Sequence, residues 1–355
     1  MSQKIEDSSE FIKISIEIIR QIQDVVPFDV YIERSDGIFT KLFHKRHPID
    51  HEMLRRYHKE KNVANLYVHT GEHKTYRYCV EKILDSALSD IKKLSPEKLT
   101  ETISEMANLT ITEIYLTTEI NKKVMEWAGK SITGCITLLG QNPRALLRVI
   151  EALKTHQNML KHSMMTCIFS MLLIKKVGYD SERTLMMLGL GALLHDIGMA
   201  MLPFEWEFKP DMTVEQWKQI KEHPQLGYRM LESITSVKQE VRTIVLQHHE
   251  QPNGMGYPSN RYGGDIYYLS KVVSIADCFC DKILRHEEDE QSMSLLEALA
   301  SMREEVGRFD DQLFQHFQKL FGHFKRTKNE EEDIADTATK ETDKKNNIDK
   351  KDTAA

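Results

Sequence analysis

Residues 184–199 read TLMMLGLGALLHDIGM, an apolar stretch that ends in His195 and Asp196. The apolar part has the composition of a buried helix. A carboxylate that follows such a helix without a partner would be costly to bury. A bound metal ion would remove that cost, so this stretch predicts a core helix that delivers two metal ligands.

Other helical segments offer imidazole and carboxylate groups beside apolar runs, a combination that suits iron, manganese, zinc or nickel. Adjacent residues on a helix point about 100° apart. Two neighbouring histidines therefore serve two ions, or one ion from a fraying helix end, more easily than one ion from mid-helix. The pattern favours a binuclear centre. Its candidate ligands are His162, His195, Asp196, His223, His248, His249 and Asp277.

A structural role is the alternative for each of these histidines taken alone. Five histidines and two aspartates beside apolar helical runs are hard to explain as independent core residues, so the metal interpretation is preferred. For the CFC stretch at 278–280, core packing is preferred over metal binding, because two cysteines at the end of an apolar helix are more typical of a core.

Four motifs, LLHDIGM, EHPQLG, HHEQPNGMGYP and SIADCF, follow one another in this order. Together they resemble the HD-GYP branch of the HD-domain superfamily over about residues 142–290. The resemblance implies an all-helical fold around two or three metal ions, often iron. It implies hydrolysis of cyclic di-GMP to pGpG or GMP by a metal-activated hydroxide. The same seven residues are the implied ligands, with Asp196 bridging the ions and orienting the hydroxide.

Several positions depart from the family pattern. Met199 stands where the family has a lysine, and Asn253 stands where it has an acid before the Gly-Tyr-Pro turn. Asn158 replaces a glutamate that binds a third metal in some members, which favours two ions here, Fe or Mn. An RPY-type motif after Asp277 is missing. The remaining candidates for substrate contacts are Tyr257, Arg261, Lys271 and Arg285.

These departures leave three functions open. The first is a cyclic di-GMP phosphodiesterase, supported by the complete ligand set. The second is a weak or inactive cyclic di-GMP receptor or interaction module that keeps its metals. The third is an HD hydrolase of another phosphoester.

The predicted fold class is α+β. Strands are expected at DVYIER, GIFTKLF and NLYVHT, and a helix at Phe11–Arg20. Long helical patterns follow, and the last residues are too polar to offset the entropy of ordering. The predicted division is a mobile N-terminus (1–10), a small α/β regulatory domain (11–80), a helical linker (81–140), an all-α HD-GYP domain (141–325) and a disordered charged tail (326–355).

Composition limits the partners of this 355-residue chain. Its net charge of -6 argues against nucleic-acid binding. The apolar stretches at 163–174 and 184–194 are shorter than the roughly 20 residues that span a bilayer, and MSQKIEDSSEF lacks a signal-peptide core. We therefore expect a cytoplasmic protein without a membrane partner. A protein partner at the N-terminal domain and a homodimer through residues 81–130 are further expectations.

Overall fold

A small antiparallel sheet and a larger set of helices make up the computed structural model. The four strands are ordered β1-β4-β2-β3. They are β1 (Phe11–Ile14), β2 (Val30–Glu33), β3 (Phe39–Phe43) and β4 (Leu66–His69). The structure describes residues 10–14, 19–20, 22, 25–34, 38–60, 66–88, 94–118, 120–141, 148–150, 158–204, 212–284 and 293–321.

The strands predicted at DVYIER, GIFTKLF and NLYVHT are confirmed as β2, β3 and β4. The helix predicted from Phe11 is wrong at its start, because Phe11–Ile14 forms β1. This strand pairs antiparallel with β4, so that Phe11 lies opposite His69. The Phe11 ring also stacks on Phe39 at 4.1 Å. Sheet pairing and aromatic packing outweigh the local helical spacing, as is common for β-forming residues.

Helices occupy most of the remaining described chain. Short 3-10 helices lie at Thr70–Glu72, Ile197–Met201 and Gly263–Asp265. The α-helices are α1 (His51–Glu60), α2 (His73–Leu88), α3 (Pro96–Thr117), α4 (Lys122–Gln141), α5 (Asn158–Val177), α6 (Glu182–Leu193), α7 (Val214–Ile220), α8 (His223–Glu232), α9 (Gln239–Gln247), α10 (Tyr268–Leu284), α11 (Leu295–Glu304) and α12 (Asp311–Gln318).

Local capping explains where helices α6 and α7 begin. The Ser181 hydroxyl accepts a hydrogen bond from the Thr184 amide at 3.2 Å and caps α6, as expected of a serine just before a helix. Thr213 and Gln216 form a capping box at the start of α7, in which each side chain accepts from the other's backbone amide. Both starts follow from short-range sequence signals.

Helices α3 and α4 contribute to two hydrophobic cores. One core contains α5, α6 and α10 to α12, together with Leu99 and Ile132. The other joins the sheet to Met106 and Trp127 and reaches Ile197, beside the His-Asp pair. The segment predicted as a linker thus packs on both sides. The division into domains stays a prediction.

Among the described residues, one stretch, Glu182–Met201, is long and apolar enough to cross a membrane by length and composition alone. It is longer than the apolar stretch at 184–194 on which the sequence-based expectation rested. Of its most apolar window, 61% is buried inside the protein. A packed core helix passes the same test, so this stretch is weak evidence for a membrane span.

Candidate metal centre

All seven predicted ligands meet in one place, at the ends of helices or on their buried faces. Most of them are buried, and His195 and His248 are fully so. Helices α5 and α10 supply mid-helix residues, whereas the others lie at helix starts or ends. The positions are His162 on α5, His195 and Asp196 after α6, His223 at the start of α8, His248 and His249 after α9, and Asp277 on α10.

The ligand atoms form two groups, and within each group they lie within 4.8 Å of one another. Both groups contain imidazoles and at least one carboxylate, a donor set typical of transition-metal sites. The adjacent histidines come directly after the last residue of α9. At this helix end both side chains can reach the centre. The first group is His162, His195 and Asp277, and the second is Asp196, His223, His248 and His249.

The Asp196 carboxylate faces both groups. Its Oδ2 lies 3.2 Å from His195 Nε2 and 3.4 Å from His162 Nε2. Its Oδ1 lies 3.1 Å from His223 Nε2 and 3.6 Å from His248 Nε2. One oxygen is therefore available to each group, which is the arrangement of a bridging carboxylate.

Backbone carbonyls orient three of the histidine rings. Nδ1 of His195, His223 and His248 lies 2.7, 2.7 and 2.8 Å from the carbonyl oxygen three residues earlier. A carbonyl only accepts, so each Nδ1 carries the hydrogen. In the neutral ring, Nε2 then presents its lone pair to the centre.

The spacing of these nitrogens fits a shared cation. Nε2 of His162 and Nε2 of His195 are 3.1 Å apart, as are those of His223 and His248. Two lone pairs at this distance repel unless a proton or a cation lies between them. Nitrogens bound to one ion at about 2.0–2.1 Å, as for zinc, lie about 3 Å apart when adjacent. The donors therefore suit a transition metal in each group.

Charges within the centre are strongly coupled. Burial lowers the pKa of His195, but Asp196 and Asp277 outweigh burial and raise it to about 10. The same carboxylates raise the pKa of His162 against burial. Burial lowers the pKa of His248 and, together with the neighbouring His248 charge, that of His249. His162 and His195 therefore bind a proton more strongly than His248 and His249 before any ion binds.

Glu250 organises the loop after the paired histidines, a role that the sequence reasoning missed. Its side chain is 1% exposed. It accepts hydrogen bonds from the backbone amides of Ser259 at 2.7 Å and Arg261 at 2.8 Å. Gly256, within this loop, packs against the start of the loop, where an added Cβ would lie 2.5 Å from the His249 carbonyl oxygen. An acid between a ligand pair and a glycine-rich turn was the available signal.

Asp281 is a second residue that the sequence reasoning did not assign. Its Oδ1 lies 3.5 Å from His162 Nδ1. A carboxylate beside the ring nitrogen that does not face the metal orients a ligating histidine and raises its basicity. The signal was its spacing four residues after Asp277, on the same face of α10.

Tyr257 is the predicted substrate residue that lies against the centre. Its ring centroid is 4.6 Å from that of His249, with a 32° angle between the planes. Its backbone amide donates to the His249 carbonyl at 3.1 Å. Burial raises the pKa of the phenol, and nearby aspartates raise it further. Tyr257 therefore remains protonated and able to donate a hydrogen bond at neutral pH.

The other predicted substrate residues are placed differently. The Lys271 ammonium lies 3.3 Å from the Asp310 carboxylate, which caps α12. Arg261 Nη1 donates to the Asp265 carbonyl at 3.4 Å. Arg285 lies outside the described residues, as does the acidic segment that follows it. Contact of these cations with a substrate stays a prediction.

The two motif departures have different consequences. Met199 is 7% exposed, so an apolar group fills the place of the family's lysine. Asn253 Oδ1 accepts from the Met255 amide at 2.9 Å and keeps the turn chemistry expected of the replaced acid. The first departure removes a cation near the centre, while the second preserves the loop.

Residues 149–313, which contain the whole centre, match the family model of the HD domain. Residues 149–313 are therefore similar to HD domains, and we call them the HD-domain region. The fold also resembles that of Bd1817, an HDG"Y"P protein from Bdellovibrio bacteriovorus, with a TM-score of 0.64 and 23% identity. That likeness covers 88% of this chain and 99% of the other, so it extends beyond the HD-domain region.

Curated relatives are similar to part of this chain. The cyclic di-GMP phosphodiesterase PA4108 of Pseudomonas aeruginosa is 30% identical over 183 residues, 51% of this chain and 44% of that protein. The response regulator RpfG of Xanthomonas campestris, a cyclic di-GMP phosphodiesterase, is 30% identical over 37% of this chain and 35% of its own. The 3'3'-cGAMP-specific phosphodiesterase 1 of Vibrio cholerae is 32% identical over 43% and 36%. The match spans less than half of each relative.

Proposed function

We propose that this chain is a metal-dependent phosphodiesterase that hydrolyses cyclic di-GMP to pGpG or GMP. The observation that carries the proposal is Asp196, whose two oxygens face two separate histidine groups. The relatives named as cyclic di-GMP phosphodiesterases support this substrate class.

The proposed cofactors are two divalent ions, Fe or Mn, one in each group with Asp196 between them. When bound, such ions supply Lewis-acid chemistry, lowering the pKa of a water molecule and neutralising phosphoryl oxygens. Imidazole donors suit either metal, and the carboxylates of Asp196 and Asp277 favour harder ions such as manganese.

Protein side chains supply the rest of the site. Backbone carbonyls hold the histidine rings in one tautomer, so no ring must rotate before a ligand binds. The phenol of Tyr257 is protonated and suited to donate a hydrogen bond to a phosphate oxygen or a guanine. Glu250 holds the loop that carries this tyrosine.

The test is turnover by purified protein loaded with Fe(II) or Mn(II). We expect cyclic di-GMP to yield pGpG or GMP, measured by chromatography, and His195→Ala to remove bound metal and activity together. Activity that survives that substitution without metal would contradict the mechanism. Turnover of 3'3'-cGAMP or a simple phosphodiester, but not of cyclic di-GMP, would reassign the substrate.

A cyclic dinucleotide receptor is the second candidate, favoured by one observation. Met199 places a buried thioether where the related sequence pattern has lysine. A receptor would bind cyclic di-GMP in the presence of metal and release no product. If Met199→Lys then produced turnover, the missing cation would be the cause of inactivity.

Further properties of the chain are also proposals. The lack of nucleic-acid partners is supported by the net charge of -6, whereas a cytoplasmic location rests on the sequence patterns. A protein partner at the N-terminal sheet and a homodimer rest on the sequence patterns alone. Size-exclusion chromatography with light scattering tests the dimer.

A further inference from the structure

The proposed substrate carries two phosphodiester groups, and the metal ligands account for only one of them. The second phosphate needs cations elsewhere. Met199 supplies none, and Lys271 is paired with Asp310. Two other cations, Arg308 and Lys221, lie beside the loop that carries Tyr257.

Arg308 follows α11 in a segment that is joined to the Gly-Tyr-Pro loop. The Asn253 amide donates to the Gly307 carbonyl at 3.1 Å, immediately before Arg308. Gly307 has φ +76, and a Cβ there would lie 3.3 Å from the Asn253 side chain. This close approach fixes the backbone position from which the Arg308 side chain extends.

The ion pair of Arg308 lies toward a ligand helix. Arg308 pairs with Glu305, which also contacts Lys282 on α10, five residues after the ligand Asp277. On the other side, the Asn253–Gly307 hydrogen bond holds the same segment against the Gly-Tyr-Pro loop. Arg308 therefore lies between that loop and a ligand helix.

Arg308 shares its carboxylate partner with a second cation. It pairs with Glu305, and Lys282 Nζ lies 2.8 Å from the same side chain. Two cations and one carboxylate leave a net positive charge. The Arg308 side chain is 32% exposed. A guanidinium has five N–H donors, so pairing through Nη1 leaves others for an anionic oxygen.

Lys221 approaches Tyr257 from a different element. It is the C-cap of α7, two residues before the ligand His223. Its Nζ lies 5.8 Å from the centroid of the Tyr257 ring, within the range of a cation–π contact. Lys221 is exposed and forms no ion pair with the residues that the structure describes. Its ammonium is thus available at the mouth of the site.

We propose that Arg308, assisted by Lys221, binds the non-reacting phosphate of a cyclic dinucleotide beside Tyr257. This inference rests on the proposed function and deepens it. Arg308 supplies directed hydrogen bonds, and Lys221 supplies a mobile charge. The pair takes over the positive charge that Met199 does not provide.

The experiment compares two substrates for one set of variants. Cyclic di-GMP has the second phosphate, whereas bis(p-nitrophenyl) phosphate has only the reacting one. Arg308→Met should raise KM for cyclic di-GMP about tenfold or more, the range of a lost hydrogen bond to a charged group. Arg308→Lys should reverse part of this increase in KM. Lys221→Met should raise KM about threefold, as expected for an exposed charge. Metal content and hydrolysis of the small diester should not change.

Arg303→Met is the matched control, because Arg303 is an exposed arginine on neighbouring α11. It should leave both substrates unaffected. If the protein binds cyclic di-GMP without turnover, the same fold-changes are expected in Kd from fluorescent cyclic di-GMP titration.

The outcomes separate the two proposals. Turnover with an unchanged KM in Arg308→Met would overturn this inference and leave the proposed function intact. Equal losses on both substrates, or loss of metal, would also overturn it, since Arg308 would then support the centre. Neither binding nor turnover of any cyclic dinucleotide by the natural protein would remove both proposals.

Discussion

Asp196 is the residue on which both halves of the centre depend. Replacing it with asparagine keeps the shape but removes the charge that faces four histidines. We expect Asp196→Asn to weaken metal binding by at least about 100-fold, since even indirect ligand partners contribute 10–100-fold. Metal analysis after dialysis measures this.

Asp265→Asn is the matched control, because Asp265 lies in the same domain on a short exposed helix outside both ligand groups. It should keep its metal. Equal metal content in the two variants would contradict a bridging role for Asp196.

Protons compete with metal at His195. Its pKa of about 10 lies above its ordinary value of 6.5, because the carboxylates outweigh burial. Protonated His195 therefore stabilises metal-free protein fully below about pH 6.5, and that contribution is lost as pH rises through about 10. Metal needs the neutral ring, so affinity should rise across this window.

Calorimetry tests this pH dependence. Mn(II) binding to chelator-treated protein at pH 6.5 and 8.5, in buffers of different ionisation heat, should release at least about one proton. Each released proton corresponds to about a tenfold gain in affinity per pH unit. A pH-independent affinity with identical heats in both buffers would disprove the competition.

Gly198 sets the distance between two elements, the 3-10 helix after α6 and the start of α8. A Cβ at Gly198 would collide with the His223 carbonyl oxygen and lie 2.6 Å from the Gly227 amide nitrogen. Because both obstacles are backbone, Gly198→Ala should cost about 3 kcal/mol and displace a ligand helix. Chemical denaturation and metal content measure the two effects.

The matched control is Gly129→Ala in the middle of α4, where nothing lies within 4 Å of an added Cβ. It should stabilise the protein by about 0.5–1 kcal/mol, the usual gain for alanine in a helix. Similar stability changes in the two variants would show that the close approach at Gly198 is not required.

At the scale of the whole molecule, α3 and α4 join the sheet to the HD-domain region. Met106 and Trp127 pack in the core that contains the strands, and the Tyr115 hydroxyl donates to the Asp196 carbonyl at 3.1 Å. A chain starting at residue 94 should expose this apolar surface. At about 1.5–3 kcal/mol for each large side chain, it should lose about 5 kcal/mol or aggregate.

Ending the chain after Phe321 is the control, because it keeps every core residue among those that the structure describes. That chain should keep its unfolding midpoint and its metal. If the shortened chain starting at residue 94 were equally stable, the sheet would be an independent unit and the shared core would have no energetic role.

Local patterns accounted for much of the fold and of the centre. Three strands, the caps at Ser181 and Thr213, and the set of ligand candidates all depend on residue type and short spacing. The strand that starts at Phe11 could not be predicted from local spacing, because its pairing with β4 determines that it is a strand. A helix and a strand of similar local composition differ by the partner that is available.

The sequence by itself determined which side chains have metal-binding chemistry and which helices carry them, since ligand type and helical periodicity are local. Tertiary structure alone decided that Asp196 faces two groups, that Glu250 holds the loop, and that Lys271 is paired with Asp310. The tertiary structure also brings Arg308 close to the Gly-Tyr-Pro loop, although Arg308 lies outside the four sequence motifs. The reason is that charge and geometry at the centre depend on contacts between residues far apart in the chain.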